Sequence, residues 1–141
     1  MSNEPGFDEE GRYVAVTQGV TVRVRPAYMP RQSKPDQGRY VWAYEITIEN
    51  GGDETLQLLN RHWRITDANG RVEVVDGPGV VGEQPMLRPG DSHTYTSGCP
   101  LPTPSGIMVG HYEMVTNRGE RFLVNVPAFS LDLPHTDRPV N

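Results

Sequence analysis

The hexapeptide Gly77-Pro78-Gly79-Val80-Val81-Gly82 carries the spacing G-x-G-x-x-G. In a strand–turn–helix setting that spacing cradles a pyrophosphate. The glycines let the backbone approach the anion, and the helix N-terminus offers free N–H groups and a positive dipole end. Here only half of that setting is written. Val72 to Val75 read as a strand, but Glu83-Gln84-Pro85 lead into further β-type sequence with no helical period. Pro78 removes one backbone donor, and Glu83 would repel a bound phosphate. Two readings follow. Gly77, Gly79 and Gly82 form a helix-free anion nest for a phosphate or nucleotide, or they shape a turn between two strands.

Other residue types invite chemistry more weakly. His62, His93 and His111 are the candidate metal ligands, with His135 near the C-terminus. Their spacing matches none of the short ligand pairs, so a divalent-cation site would need the fold to gather them. Arg61-His62-Trp63-Arg64 sets an aromatic between cations and could stack a planar ligand. Strand alternation, however, places Trp63 with Arg61 and Ile65, which favours core packing. Cys99 stands alone, so no intrachain disulfide forms, and it reads as a small buried hydrophobe in a reducing cytoplasm. There is no G-x-S-x-G elbow and no carboxylate pair with acid/base spacing. A non-enzymatic protein without a resident cofactor is the expectation.

These residues must be held by strands. The chain has 15 glycines and 13 prolines in 141 residues, and they recur between short alternating runs. Val20, Val22 and Val24 alternate with polar residues. Trp42, Tyr44, Ile46 and Ile48 share one face of Tyr40–Glu49, with Trp42 as a core anchor. Asn50-Gly51-Gly52-Asp53 reads as a turn that exploits positive φ. Leu56 to Thr66 returns, Asp67-Ala68-Asn69-Gly70 marks a hairpin, and Arg71 to Val75 is its partner. Arg88-Pro89-Gly90-Asp91 is a further turn before Ser92 to Ser97. Pro100, Pro102 and Pro104 punctuate a loop. Ile107 to Val115, Arg121 to Val126 and the run Phe129, Leu131, Leu133 complete the pattern. The sum is an all-β, two-sheet antiparallel sandwich of about seven to nine strands, of fibronectin type III or immunoglobulin type, with a closed barrel as the alternative. One domain spans residues 12–134, and residues 1–11 and 135–141 are expected to be loose.

The formal net charge is −5, and the 13 basic side chains (all arginine except Lys34) are scattered. No basic stripe for a nucleic acid is present, and no apolar run reaches the length of a membrane span. Proline and polar residues near the strand ends favour a monomer or weak homo-oligomer.

Several multi-residue motifs stand together in order. They are Arg61-His62-Trp63, Thr66-Asp67-Ala68-Asn69-Gly70, Gly79-Val80-Val81-Gly82-Glu83-Gln84-Pro85, Tyr95-Thr96-Ser97-Gly98-Cys99-Pro100-Leu101 and Thr103-Pro104-Ser105-Gly106. From about Tyr13 to Pro134 the chain resembles the bacterial ApaG (CorD) family. The resemblance implies a fibronectin type III-like sandwich and a small cytoplasmic protein whose gene is linked to cobalt resistance and magnesium efflux. It also implies a protein-interaction module, since similar domains are appended to larger eukaryotic proteins. It supplies no catalytic residues. It maps a discussed nucleotide-phosphate motif onto Gly77, Gly79 and Gly82.

Overall fold

The structure, a computed structural model, describes residues 6–134. Ten strands follow in chain order: β1 Gly6–Phe7, β2 Tyr13–Thr17, β3 Val20–Tyr28, β4 Tyr40–Asn50, β5 Leu56–Asp67, β6 Val72–Pro78, β7 Met86–Leu87, β8 Ser92–Leu101, β9 Gly106–Thr116 and β10 Arg121–Leu131. A single 3₁₀ turn, Pro35–Gln37, interrupts the β3–β4 connection, and no α-helix occurs among the described residues. The first sheet has the order β1-β2-β3-β4-β8, and the second has β10-β9-β5-β6, with β7 added beside β5. All pairings are antiparallel.

The expected two-sheet sandwich is therefore the architecture, with ten strands because the two-residue β1 and β7 carry no periodic signal. The alternating residues decide which faces meet. Val20, Val22, Val24, Trp42, Tyr44, Ile46 and Ile48 from the first sheet are buried against Leu58, Trp63, Ile65, Met108, Tyr112, Met114, Val124 and Phe129 from the second. Trp42 is the anchor expected. It is 1% exposed, meets Tyr28 edge-on, and donates its indole N–H to Asp132 O at 2.8 Å. Trp63 sits among Tyr44, Tyr112 and Phe129 in edge-on contacts, each worth about 0.5–1.5 kcal/mol beyond area burial.

Four local expectations need correction. Residues 6–11, expected to be loose, form β1 and a turn pinned by Asp8, whose carboxylate accepts from Arg12 and pairs with Arg23. The rest of the two expected loose ends, residues 1–5 and 135–141, and His135 with them, lie outside the described residues. Strand β8 runs through Pro100 to Leu101 instead of breaking at Ser97. It is an edge strand, where a missing N–H leaves no bond unmade. The runs on either side of Pro127 are one strand, β10, with a register shift between Val126 and Phe129. That bulge absorbs the proline and returns Phe129 and Leu131 to the core, while Leu133 is left outside. At the β4–β5 connection Asn50, Gly51 and Gly52 all keep negative φ. The turn is held by Asn50's side chain, not by left-handed backbone.

The two sheets are closed along one side, where β10 lies against β2 and β3. On the other side β8 and β6 are both free edges. The mouth between those edges, and the outer face of the second sheet, are where function can sit.

Candidate functional site

The glycine segment begins on a strand. Gly77 and Pro78 belong to β6, opposite Arg61 and Asn60. Gly79 then donates its N–H to Leu59 O at 2.8 Å. Antiparallel alternation leaves Pro78 at a position whose N–H would face solvent from the sheet edge, so its loss costs no ladder bond. Val80 and Glu83 exchange both backbone hydrogen bonds, at 2.8 and 3.0 Å, around the two-residue tip Val81-Gly82. Both tip residues have positive φ, 47° and 78°, which is a type I′ turn. The backbone donors of Gly79, Val80 and Glu83 are thus spent within the protein, and the segment continues into another hairpin arm, not a helix.

Gly79 is required here: its φ is 62°, and a Cβ would lie 2.2 Å from Glu83 O. Gly77 serves differently, because the Arg61 guanidinium lies 2.9–3.0 Å from where its Cβ would be. Val81 is the misfit, a β-branched residue in a left-handed conformation that Asn adopts readily. Val81→Asn is expected to raise stability by about 1 kcal/mol. Urea unfolding checks this; no gain would mean that Val81 makes a compensating contact.

The three candidate metal histidines do not come together. His62 on β5 and His111 on β9 are register partners on the outer face of the second sheet. Their rings stack at 4.7 Å, and His62 Nδ1 lies 2.6 Å from Asp76 Oδ1. Partial burial, with His62 beside it, holds His111 below the usual imidazole range, against the opposing pull of Asp76 and Glu113. His93 is on β8 in the opposite sheet. Its Nε2 is buried without a hydrogen-bond partner, 3.7 Å from Glu83 Oε2. Among the described residues no group of three His, Cys, Asp or Glu side chains is arranged to hold a metal ion.

Alternation along β5 sends Arg61 and Trp63 inward and His62 and Arg64 outward. Trp63 is core, as its spacing indicated. Arg64 instead opens a feature that no motif marked. On the outer face of the second sheet it lies between Val74 of β6 and Val109 of β9, and the next row, Val72–Thr66–Ile107, adds two more aliphatics. Val72, Val74, Ile107 and Val109 are 41%, 53%, 52% and 39% exposed. No carboxylate among the described residues pairs with Arg64. The outer face of the first sheet is the opposite in character. Arg23 pairs with Glu49 and Asp8, and Thr47 meets Thr94. The sequence signals for the apolar face were Ile107-Met108-Val109 and Val74-Val75, each apolar on both sides of a strand.

At the mouth between the sheets, Tyr44, Arg61, Trp63, Val80, Tyr95 and Ser97 line a cleft of about 220 Å³, with the Val81-Gly82 tip at its rim. Arg61 Nη1 donates to Pro78 O at 2.9 Å and Gly79 O at 3.0 Å. Tyr95 and Tyr112 join hydroxyls at 2.5 Å. Burial raises all three tyrosines, Tyr44, Tyr95 and Tyr112, above the ordinary phenol value, so they stay protonated donors. Burial also pushes the Cys99 thiol up to about 11. It is an inert core group.

Fold and surface together define an antiparallel β-sandwich protein with an aliphatic patch on one sheet face and a narrow cleft at the mouth between the sheets. Comparison with known proteins gives the family. The model described as the ApaG domain matches residues 30–116. The chain is 64% identical over 129 residues to protein ApaG of Mesorhizobium japonicum, covering 92% of this chain and 99% of that one. To protein ApaG of Rhodospirillum centenum it is 63% identical over 123 residues, covering 87% and 95%. A crystal structure of the putative ApaA protein from Bordetella pertussis superposes with a TM-score of 0.81 at 50% identity, covering 83% of this chain and 95% of that one. The chain belongs to the ApaG family. No helix among the described residues is long and apolar enough to cross a membrane.

Proposed function

We propose that this protein is a non-catalytic protein-interaction module whose docking face is the outer surface of the second sheet around Arg64. The observation that supports it is local to one end of that face. Beyond the His62–Asp76 pair it exposes Val72, Val74, Ile107 and Val109 around an arginine without a carboxylate partner among the described residues. The corresponding surface of the first sheet instead carries Arg23 paired with Glu49 and Asp8 and the Thr47–Thr94 contact. A contiguous apolar patch enclosing an arginine has the composition of an interface centre. Arg64 also selects the occupant. Two copies of this face would bring like charges together, so the reading favours a different protein that sets a carboxylate on Arg64 and apolar side chains on the four aliphatics. The free edge of β6 adds main-chain hydrogen bonds to an extended segment.

The module would act in the cytoplasm, in keeping with its single buried thiol. Any role in cobalt resistance or magnesium efflux would run through the partner, since His62, His93 and His111 are not gathered into a site. The test is capture of a stoichiometric partner by the native chain, repeated with Arg64→Glu and with Glu45→Lys on the opposite sheet. Reversal of one interfacial charge is expected to weaken capture at least about tenfold, with Glu45→Lys unchanged. Equal capture by Arg64→Glu would end the assignment of this face.

A further inference from the structure

Strand β8 is a long edge that the fold leaves without protection. Which of its backbone groups are free follows from the bonds of its neighbour, β4. Val41 donates its N–H to Ser33 Oγ at 2.9 Å and accepts at its C=O from Met29 N at 2.8 Å, so odd residues of β4 turn their backbone toward β3. Pro26 of β3, which has no N–H, stands opposite Tyr44, in the phase where no bond is asked of it. Asn50 bonds to Gly90 and Asp91 on the β8 side. Even residues of β4 therefore bond β8, through His93, Tyr95, Ser97, Cys99 and Leu101. The N–H and C=O groups of Ser92, Thr94, Thr96 and Gly98, and the C=O of Pro100, point away from the sheet. All five residues are exposed, and among the described residues β8 has no second strand partner.

Natural edge strands of this length carry charges, a bulge or a cover. Ser92–Leu101 contains no Asp, Glu, Lys or Arg, and its register with β4 runs without a shift. The edge strand β6, by contrast, carries Glu73, Asp76 and Pro78. Two further features lack a reason inside the chain. Gly98 keeps φ outside the left-handed region, and a Cβ there would meet only Trp42 O at an ordinary 3.5 Å. Such a glycine marks the close approach of another backbone. Val81, strained at φ 47° and 61% exposed, is held at the rim of the mouth beside Tyr95 and Ser97, the two neighbours of Thr96.

We propose that β8 pairs with β8 of a second copy of this chain, antiparallel about a twofold axis at Thr96, to make one continuous sheet across a dimer. The strand is its own complement in that register. Thr96 faces Thr96 of the second copy, Thr94 faces Gly98 and Ser92 faces Pro100, and every facing pair has its free groups on the shared edge. The proline falls in the outermost pair, where its missing N–H forfeits least. No charge opposes its own image. Glu45 on β4 stands opposite Thr96, so the two Glu45 side chains lie three strand spacings apart, about 14 Å, beyond the screening length of about 8 Å. The axis also sets both Val81 tips beside the new strand pair, an apolar contact that offsets their strain. The same edge is used by both copies, and the far edge of the sheet is the two-residue β1, so association stops at two. The β8 edge belongs to the other sheet from Arg64 and does not depend on docking there.

The experiment is sedimentation equilibrium of the full chain from about 10 μM to about 1 mM, a range that brackets the dissociation constant on the order of 100 μM expected of so small an interface. Amide hydrogen exchange at Thr94, Thr96 and Gly98 is expected to slow about fivefold at the top of that range, the inverse of the monomer fraction there. Tyr95 and Ser97, already bonded to β4, are expected to stay unchanged. Thr96→Lys sets two like charges face to face on the axis and is expected to weaken association at least about tenfold. Its side chain is exposed, and an unchanged urea midpoint shows that the fold is kept. Val81→Asn is expected to weaken association while raising that midpoint. The exchange measurement uses the native chain, so it stands whatever a variant does to folding. A chain that stays monomeric at the highest concentration, exchange at the three amides that ignores concentration, or undiminished association of Thr96→Lys would each overturn the proposal. The first two would leave β8 open to an extended segment of another protein, and the third would put the contact on a different face.

Discussion

Gly110→Ala is expected to remove at least about 3 kcal/mol of stability and to leave little folded protein at physiological temperature. Gly110 lies on β9 directly opposite Trp63 on β5. A Cβ there would be 2.1 Å from His62 O and 2.8 Å from Trp63 Cε3. Neither neighbour can yield. The carbonyl belongs to a strand held between β6 and β9, and the indole is wedged among Tyr44, Tyr112 and Phe129. One added methyl group therefore has to push the central strands β5 and β9 apart or eject the largest side chain of the second sheet. Gly98→Ala is the matched control. Its Cβ would meet Trp42 O at 3.5 Å, an ordinary contact, and a change within about 0.5 kcal/mol is expected. Denaturant unfolding of both variants checks the pair; a Gly110→Ala loss below about 1 kcal/mol would mean that β5 and β9 separate more easily than their packing implies.

Asn50→Leu is expected to cost about 3 kcal/mol. Asn50 is 1% exposed, and its amide makes three hydrogen bonds. Nδ2 donates to Glu54 O at 2.7 Å and to Leu87 O at 2.9 Å, and Oδ1 accepts from Gly52 N at 3.0 Å. Its backbone N–H and C=O also bond to Asp91 and Gly90 at 2.9 and 2.8 Å. One side chain thus ties the β4–β5 turn to the segment that carries β7 into β8. Leucine is of comparable size, so packing changes little, but each lost bond is worth about 1 kcal/mol and leaves a backbone group without its partner. A shifted urea midpoint at unchanged slope would show this as a local loss of bonding. A variant as stable as the native chain would mean that water replaces the amide.

The strand positions were partly legible in the sequence. Where one face of a strand is buried and the other solvated, the period of two appears directly, as in Val20–Val24 and Trp42–Ile48. The Asp67–Gly70 hairpin was equally legible, since its geometry depends on neighbours in the chain: Asp67 Oδ1 accepts from Asn69 N and Arg71 N. The ApaG motifs carried the family for the same reason, being contiguous. The role of Asn50 was hidden. An asparagine before two glycines reads as a flexible turn, and its acceptor at Leu87 lies 37 residues on.

Local order alone therefore settled the all-β class, most strand positions, the inward direction of Trp63 and the Asp67–Gly70 hairpin, because each depends on residues within a few positions of one another. Tertiary structure alone decided that His62 and His111 stack while His93 sits in the other sheet, that Arg64 is framed by valines from two flanking strands, and that Arg61, Tyr44 and Tyr95 converge at one mouth. Those groupings depend on cross-strand register and on which edges of the two sheets remain open. Register is a long-range property, set by how the whole core packs.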